Sequence, residues 1–192
     1  KVFIMKRLLL ILILTFSFQT LAKADDIRDF EIEGMSIGDS ALMYFSKSEI
    51  KMNKKNWYKD TKFYGVQITV QSEKFDAIQL HFKTGDNKYI IHSVGGLVDF
   101  TNDITNCHVL KKKVDNDIRN LFEKVRVSEK GKRKHDADKS GQSFTYDTFY
   151  NLKNGNVFTG CYDWSKQMNY IDNFRLIANT KEIDKWYDVA YN

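Results

Sequence analysis

Apolar and polar residues alternate along most of this chain, with one long interruption at helical spacing. Tyr64, Val66, Ile68 and Val70 alternate with Gly65, Gln67 and Thr69, the pattern of a strand with one dry and one wet face. Ile78, Leu80 and Phe82 do the same against Gln79, His81 and Lys83, and Thr84-Gly85-Asp86-Asn87 turns the chain into a third run, Tyr89 to Phe100. Connections this short leave no room for crossovers, so the three runs predict an antiparallel meander. Gly95-Gly96 predicts a bulge or bend in its last strand. From Asp103 to Val125 the step lengthens: Cys107, Leu110, Val114, Ile118, Leu121, Phe122 and Val125 share one stripe and predict a long helix lying on the sheet.

Alternation resumes with Phe144, Tyr146, Thr148 and Tyr150 against Thr145, Asp147 and Phe149, and Asn154-Gly155 predicts a hairpin turn at positive φ. Val157 to Trp164 returns as the partner strand, with Cys161 on one face and Phe158, Tyr162 and Trp164 on the other. Phe174 to Ala178 predicts a last strand. Asn179-Thr180-Lys181-Glu182 then caps a terminal helix with Ile183, Trp186, Tyr187 and Ala190 inward. Nearer the start, Ile27 to Gly34 reads as an edge strand, Asp39 or Ser40 as a helix cap, and Ser46-Lys47-Ser48-Glu49 as a capping box. The sum is an α+β protein: an antiparallel sheet of about seven strands packed on one face by three to four helices. Residues 128–141 carry Lys130, Lys132, Arg133, Lys134 and Lys139 with almost no apolar side chain, and predict a mobile charged loop. Lys130 to His135 could there serve as an anion, polyanion or lipid-headgroup site, against the commoner reading of a solvated charge run.

The first 24 residues change where this domain is expected to act. Met5-Lys6-Arg7, the apolar run Leu8 to Phe18 and the small residues before Asp25 have the order of a secretory signal, Lys1 to Ile4 being an upstream extension. The run is shorter than the roughly 20 apolar residues of a spanning helix, so cleavage is expected to release residues 25–192 as a single domain without a transmembrane anchor. The expected location is periplasmic or secreted. The formal charge of +5 includes Lys1, Lys6, Arg7 and Lys23, so the mature chain would be nearly neutral, which removes the electrostatic case for nucleic acid. In an oxidising compartment the two cysteines, Cys107 and Cys161, are expected to form a structural disulfide, since redox pairs usually sit as Cys-x-x-Cys.

Candidate chemistry is sparse. Gly38-Asp39-Ser40 resembles the nucleophile block of GDSL-type esterases and lipases, which implies Ser40 as nucleophile. Such a serine needs a histidine base held by an acid. The residues three before the four histidines are Ile78, Tyr89, Thr105 and Lys132, none acidic, and Ala41 stands where the family has leucine. Ile32-Glu33-Gly34-Met35-Ser36-Ile37-Gly38-Asp39-Ser40, ahead of a helix and a meander, resembles periplasmic proteins of the SmpA/OmlA (BamE-like) type over the first half of the mature chain. There the Gly-Met-Ser/Thr string caps a helix before a curved sheet; the lipid-bearing cysteine of that family is missing here. With Cys161-Tyr162-Asp163-Trp164-Ser165, the whole chain is similar to small exported proteins of AT-rich marine proteobacteria, which implies no activity. His81 and His92 on neighbouring strands lack the spacing of a metal site, and no cofactor motif is present. The aromatic residues Tyr146, Tyr150, Tyr162 and Trp164 form a candidate patch for a small ligand or an envelope protein. The expected function is therefore a non-catalytic interaction or ligand-binding module, with a hydrolase using Ser40 as the alternative.

Overall fold

The structure, a computed structural model, describes residues 26–101, 103–122 and 125–191; the expected signal segment lies outside them. Eight antiparallel strands form the main sheet: β3 (Lys54–Lys55), β4 (Phe63–Thr69), β5 (Ala77–Lys83), β6 (Ser93–Asp99), β7 (Arg126–Lys134), β8 (Phe144–Leu152), β9 (Gly155–Asp163) and β10 (Asn173–Thr180). Their spatial order is β3-β4-β5-β6-β10-β9-β8-β7. Two meanders thus meet where β6 and β10, the last strand of each, pair over seven residues. A separate two-stranded hairpin, β1 (Glu31–Ile32) with β2 (Met35–Ser36), precedes them. The helices are α1 (Lys47–Met52), α2 (Ile104–Leu121) and α3 (Lys181–Tyr187), with 3-10 turns at Ile27–Asp29 and Ala41–Met43.

The two faces of the sheet are covered differently. On one, Val66, Ile68, Ile78, Leu80, Phe82, Val94, Val98, Val157, Cys161, Phe174, Leu176 and Ala178 meet Cys107, Val114 and Ile118 of α2 and the N-terminal Ile27, Phe30, Ile32 and Met35. The Cys107–Cys161 disulfide, with Cα atoms 6.0 Å apart, fastens α2 to β9 on this face. The other face carries a smaller cluster in which Phe63 packs with Ile183 and Trp186 of α3, Ala190, Tyr58, Tyr187 and Tyr191. Helices therefore lie on both faces, not one. The apolar stripe of α3 could be read from its sequence, but not the side of the sheet it would choose.

Several elements differ from their expected form. Residues 126–134 are strand β7, paired to β8 along its length, and only 135–141 turn as a loop. Backbone hydrogen bonds made this strand without an apolar face, and its exposed charges suit an edge. The bulge expected at Gly95-Gly96 is absent, since the pairing with Ile177 and Leu176 is regular; a Cβ at Gly96 would instead strike the Phe75 ring at 2.3 Å. The bulge falls between Glu129 and Gly131. The β8–β9 loop is Lys153-Asn154, with Leu152 opposite Gly155, so the turn is one residue earlier than expected and without positive φ. Ile27 to Gly34 splits into a 3-10 turn and β1, and Gly34-Met35-Ser36 belongs to the β1–β2 hairpin rather than a helix cap. The capping box at Ser46 and Glu49 is present, both halves formed.

Candidate functional site

Strand register places a lattice of side chains on the face opposite α2. Three rows cross β8, β9 and β10: Phe149-Phe158-Ile177, Asp147-Gly160-Arg175 and Thr145-Tyr162-Asn173. Alternation puts these nine on one side and Tyr146, Thr148, Tyr150, Val157, Thr159, Cys161, Phe174 and Leu176 on the other. Above the lattice stand Tyr58, Tyr187 and Tyr191 from the α3 side and His135 from the β7–β8 turn. Between them lies a cavity of about 330 Å³, which Gln79, Asn179, Arg133, Lys134 and the acidic Asp136, Asp184 and Asp188 also line.

Arg175 is one of three cations that line it. Its Nε donates to Asn173 Oδ1 at 2.8 Å, and its guanidinium lies 3.8 Å from the Tyr162 ring centroid, a cation–π stack. Among the described residues no carboxylate is in ion-pair contact with it. Asp147, 3% exposed, accepts from Arg133 and from Thr145 Oγ1 through Oδ2. Its Oδ1 is buried, and no described protein group donates to it. Asn179 Oδ1 is in the same condition, although Asn179 Nδ2 reaches Asn156 Oδ1 at 3.3 Å.

The titratable rings around Arg175 are held neutral. Burial, and then the Arg175 charge, pushes His81 down to about 3 and His135 down to about 4. His81 Nε2 lies 2.8 Å from Tyr58 Oη. His135 Nδ1 accepts the Ala137 N–H at 3.1 Å, as a neutral ring can. Burial also raises Tyr58, Tyr162, Tyr187 and Tyr191 above the ordinary phenol range, so they keep their protons as donors.

The four aromatic residues expected to form one patch are divided by the sheet. Tyr162 and Trp164 lie on the cavity side, their rings 5.6 Å apart, with His135 4.6 Å from Trp164. Tyr150 is fully buried beneath α2, where its hydroxyl donates to Asp115 Oδ1 at 2.8 Å. Tyr146 lines an open groove of about 320 Å³ beside α2, its ring 4.4 Å from that of His108. The deep polar groups of that groove are paired with one another: Lys111 Nζ bonds Asp115 Oδ2 and Thr148 Oγ1, each at 2.6 Å.

Ser40 is far from histidine chemistry. Its Oγ donates to the Lys88 carbonyl at 2.6 Å and accepts the Leu42 N–H at 3.3 Å, which caps the 3-10 turn Ala41–Met43. His92 packs against Phe63, and among the described residues no group of three His, Cys, Asp or Glu could hold a metal. No described helix is long and apolar enough to cross a membrane.

Sequence reasoning did not single out Arg175, Asp147 or the three tyrosines above them, and it named His135 only as the end of the candidate anion site Lys130 to His135, of which Arg133, Lys134 and His135 line the cavity. A signal was present: Arg175 interrupts the otherwise apolar run from Phe174 to Ala178, and Asp147 shares an aromatic-rich strand. Compared against protein-family models, curated proteins and solved structures, the chain matches none.

Proposed function

We propose that this protein is a non-catalytic binding module of the cell envelope or its surroundings that takes a small ligand into the cavity opposite α2. The observation that carries the reading is Arg175, a guanidinium with no ion-pair partner among the described residues, lining a cavity walled by tyrosines. A cation held out of ion-pair contact in a partly buried site is expensive to maintain without a ligand to meet it. The volume stands at the small end of the ~300–1,000 Å³ of ligand pockets. Binding is favoured over catalysis because His81 and His135, held at about 3 and about 4, are too weakly basic to take a proton from a hydroxyl at neutral pH. Both hydrogen-bonding roles of Ser40 Oγ are spent on the backbone.

Export is supported by the signal-like pattern of residues 1–24 and by the disulfide, which persists in oxidising compartments. Isotope-labelled protein titrated with pooled small molecules of different charge classes tests the binding reading. Shifts centred on Tyr162, Arg175, Ile177 and His135 are expected; no response at these residues would end the proposal. For export, N-terminal sequencing of protein from the producing cell should begin near Asp25. Retention of Met5-Lys6-Arg7 would overturn it.

A further inference from the structure

The three cations that line the cavity differ in what already holds them. Arg133 is bound to the Asp147 carboxylate with half its side chain in water, and Lys134 ends the exposed edge strand β7. Arg175 is half-buried near the middle of β10. Asn173 Oδ1 fixes its Nε at 2.8 Å, and the Tyr162 ring lies against its guanidinium, with the Trp164 centroid 5.9 Å away. These contacts set the orientation of the group and leave its far end free. Among the described residues no acceptor bonds Nη1 or Nη2, and neither atom is sealed from the cavity. A guanidinium held in this way presents two parallel N–H donors, which match the two oxygens of a carboxylate.

The surroundings narrow the class. His81 and His135 are neutral and add no second cation. With Arg133 spent on Asp147, the lining leaves Asp136, Asp184 and Asp188 against Lys134 and Arg175. A dianion would therefore gain one strong partner and face like charge around it. A cationic ligand would leave Arg175 unmet and be repelled by it. The Tyr162 hydroxyl keeps its proton and has no hydrogen-bond partner among the described residues, so the cavity holds a neutral donor besides the fork. Phe149, Phe158, Ile177 and the ring of Tyr187 supply apolar wall, and the volume of about 330 Å³ limits the occupant to a small body.

We infer that the ligand is a small monocarboxylate with an apolar, ring-bearing body, its carboxylate held end-on by the Nη pair of Arg175 and its body packed on the aromatic wall. This rests on the binding reading above. The Arg175 contact selects the carboxylate, because a neutral isostere offers the fork no charge. The wall selects the body, since aromatic rings bury large area against one another.

Titration calorimetry of the full-length protein with benzoate, phenylacetate and 3-phenylpropionate tests it, with phenylacetamide, benzylamine and phenyl phosphate as neutral, cationic and dianionic probes. At least one carboxylate is expected to saturate the protein, and phenylacetamide to bind about tenfold or more weakly than phenylacetate. Benzylamine and phenyl phosphate should also be weaker. Arg175→Gln should erase the preference for phenylacetate over its amide, and Arg175→Lys, which keeps the charge and loses the fork, should reduce it several-fold. The Nε–H resonance of Arg175 in the isotope-labelled native protein reads the same contact without relying on a variant that folds. It should shift with the carboxylate and not with the amide. Equal binding of phenylacetate and phenylacetamide, tighter binding of the amine or the phosphate, or an Arg175 resonance unmoved at saturation would overturn the inference. If no carboxylate binds while other pooled compounds shift Tyr162 and Arg175, the carboxylate assignment falls and the binding reading stands. If nothing shifts those residues, both fall.

Discussion

A methyl group on Gly155 would lie 1.9 Å from the Asn179 carbonyl oxygen, and the backbone there does not have positive φ. Crowding, not turn geometry, therefore demands glycine at the first residue of β9. Gly155→Ala should push β9 from β10 at the Gly155–Thr180 pair and lower stability by about 1–3 kcal/mol, read as a fall in the urea midpoint. Ser40 was legible as a cap because its type and position before Ala41 suffice to bind a free N–H. Ser40→Ala should cost ~1 kcal/mol and leave cavity binding intact; a lost esterase activity with unchanged stability would favour the nucleophile instead. His135 was legible only as the end of a charged stretch, because its place against the cavity comes from Trp164 and Tyr162 beneath it. In the folded chain it takes a proton only near 4, against 6.5 for an unperturbed imidazole. Between those values the unfolded chain binds more protons, so stability should fall as pH drops from about 6.5 to about 4 and level off below. Urea midpoints across that range should show the slope, and His135→Phe should flatten it. His81, shifted in the same direction, retains the remainder.

Strands with alternating apolar residues and the long helix were readable because burial imposes a period on side chains. β7 lay beyond that reading, since its pairing with β8 uses backbone groups and leaves most of its side chains in water. What holds the β7–β8 turn is the Asp138 carboxylate, which accepts from Ser140 N, Ser143 N and Ser143 Oγ at 2.9, 2.9 and 2.6 Å. Those donors hold Asp138 well below the ordinary carboxylate range. A carboxyl with a depressed folded pKa stabilises above the ordinary carboxylate range, and that contribution is lost as pH falls through and below it. Amide exchange in residues 135–143 should therefore accelerate below about pH 4, while the centre of β9 stays protected. Asp138→Asn should bring the same acceleration at neutral pH. Uniform exchange across 135–163 in both conditions would mean the turn has no separate stability. The turn matters to the cavity because it presents His135, Lys134 and Asp136 to it.

At the scale of the whole molecule, a helix followed by a four-stranded meander occurs twice, α1 with β3 to β6 and α2 with β7 to β10. The strand order reads outward alike from the central β6–β10 pair. No fixed repeat in the sequence announced this, because the two halves share connectivity and not side chains. The same limit hid the cavity: parity assigned Cys161 and Tyr162 to opposite faces, but the covering by α2 on one and α3 on the other arose from long-range packing. The disulfide was the one long-range contact the sequence supplied. Its 54-residue span corresponds to about 4 kcal/mol of stabilisation through restriction of the unfolded chain. It ties α2 to β9 within the second half, while the two halves are joined by seven β6–β10 residue pairs. The paired substitutions Cys107→Ala and Cys161→Ala should therefore lower stability by about that amount without dividing the unfolding transition. Single-tryptophan variants retaining Trp57 in one case and Trp164 in the other would report the first and second halves during urea unfolding. Coincident midpoints, both shifted down from the disulfide-intact protein, are the expected result. Separate midpoints would show that β6 and β10 do not couple the meanders, and that the cavity depends on the bridge behind it.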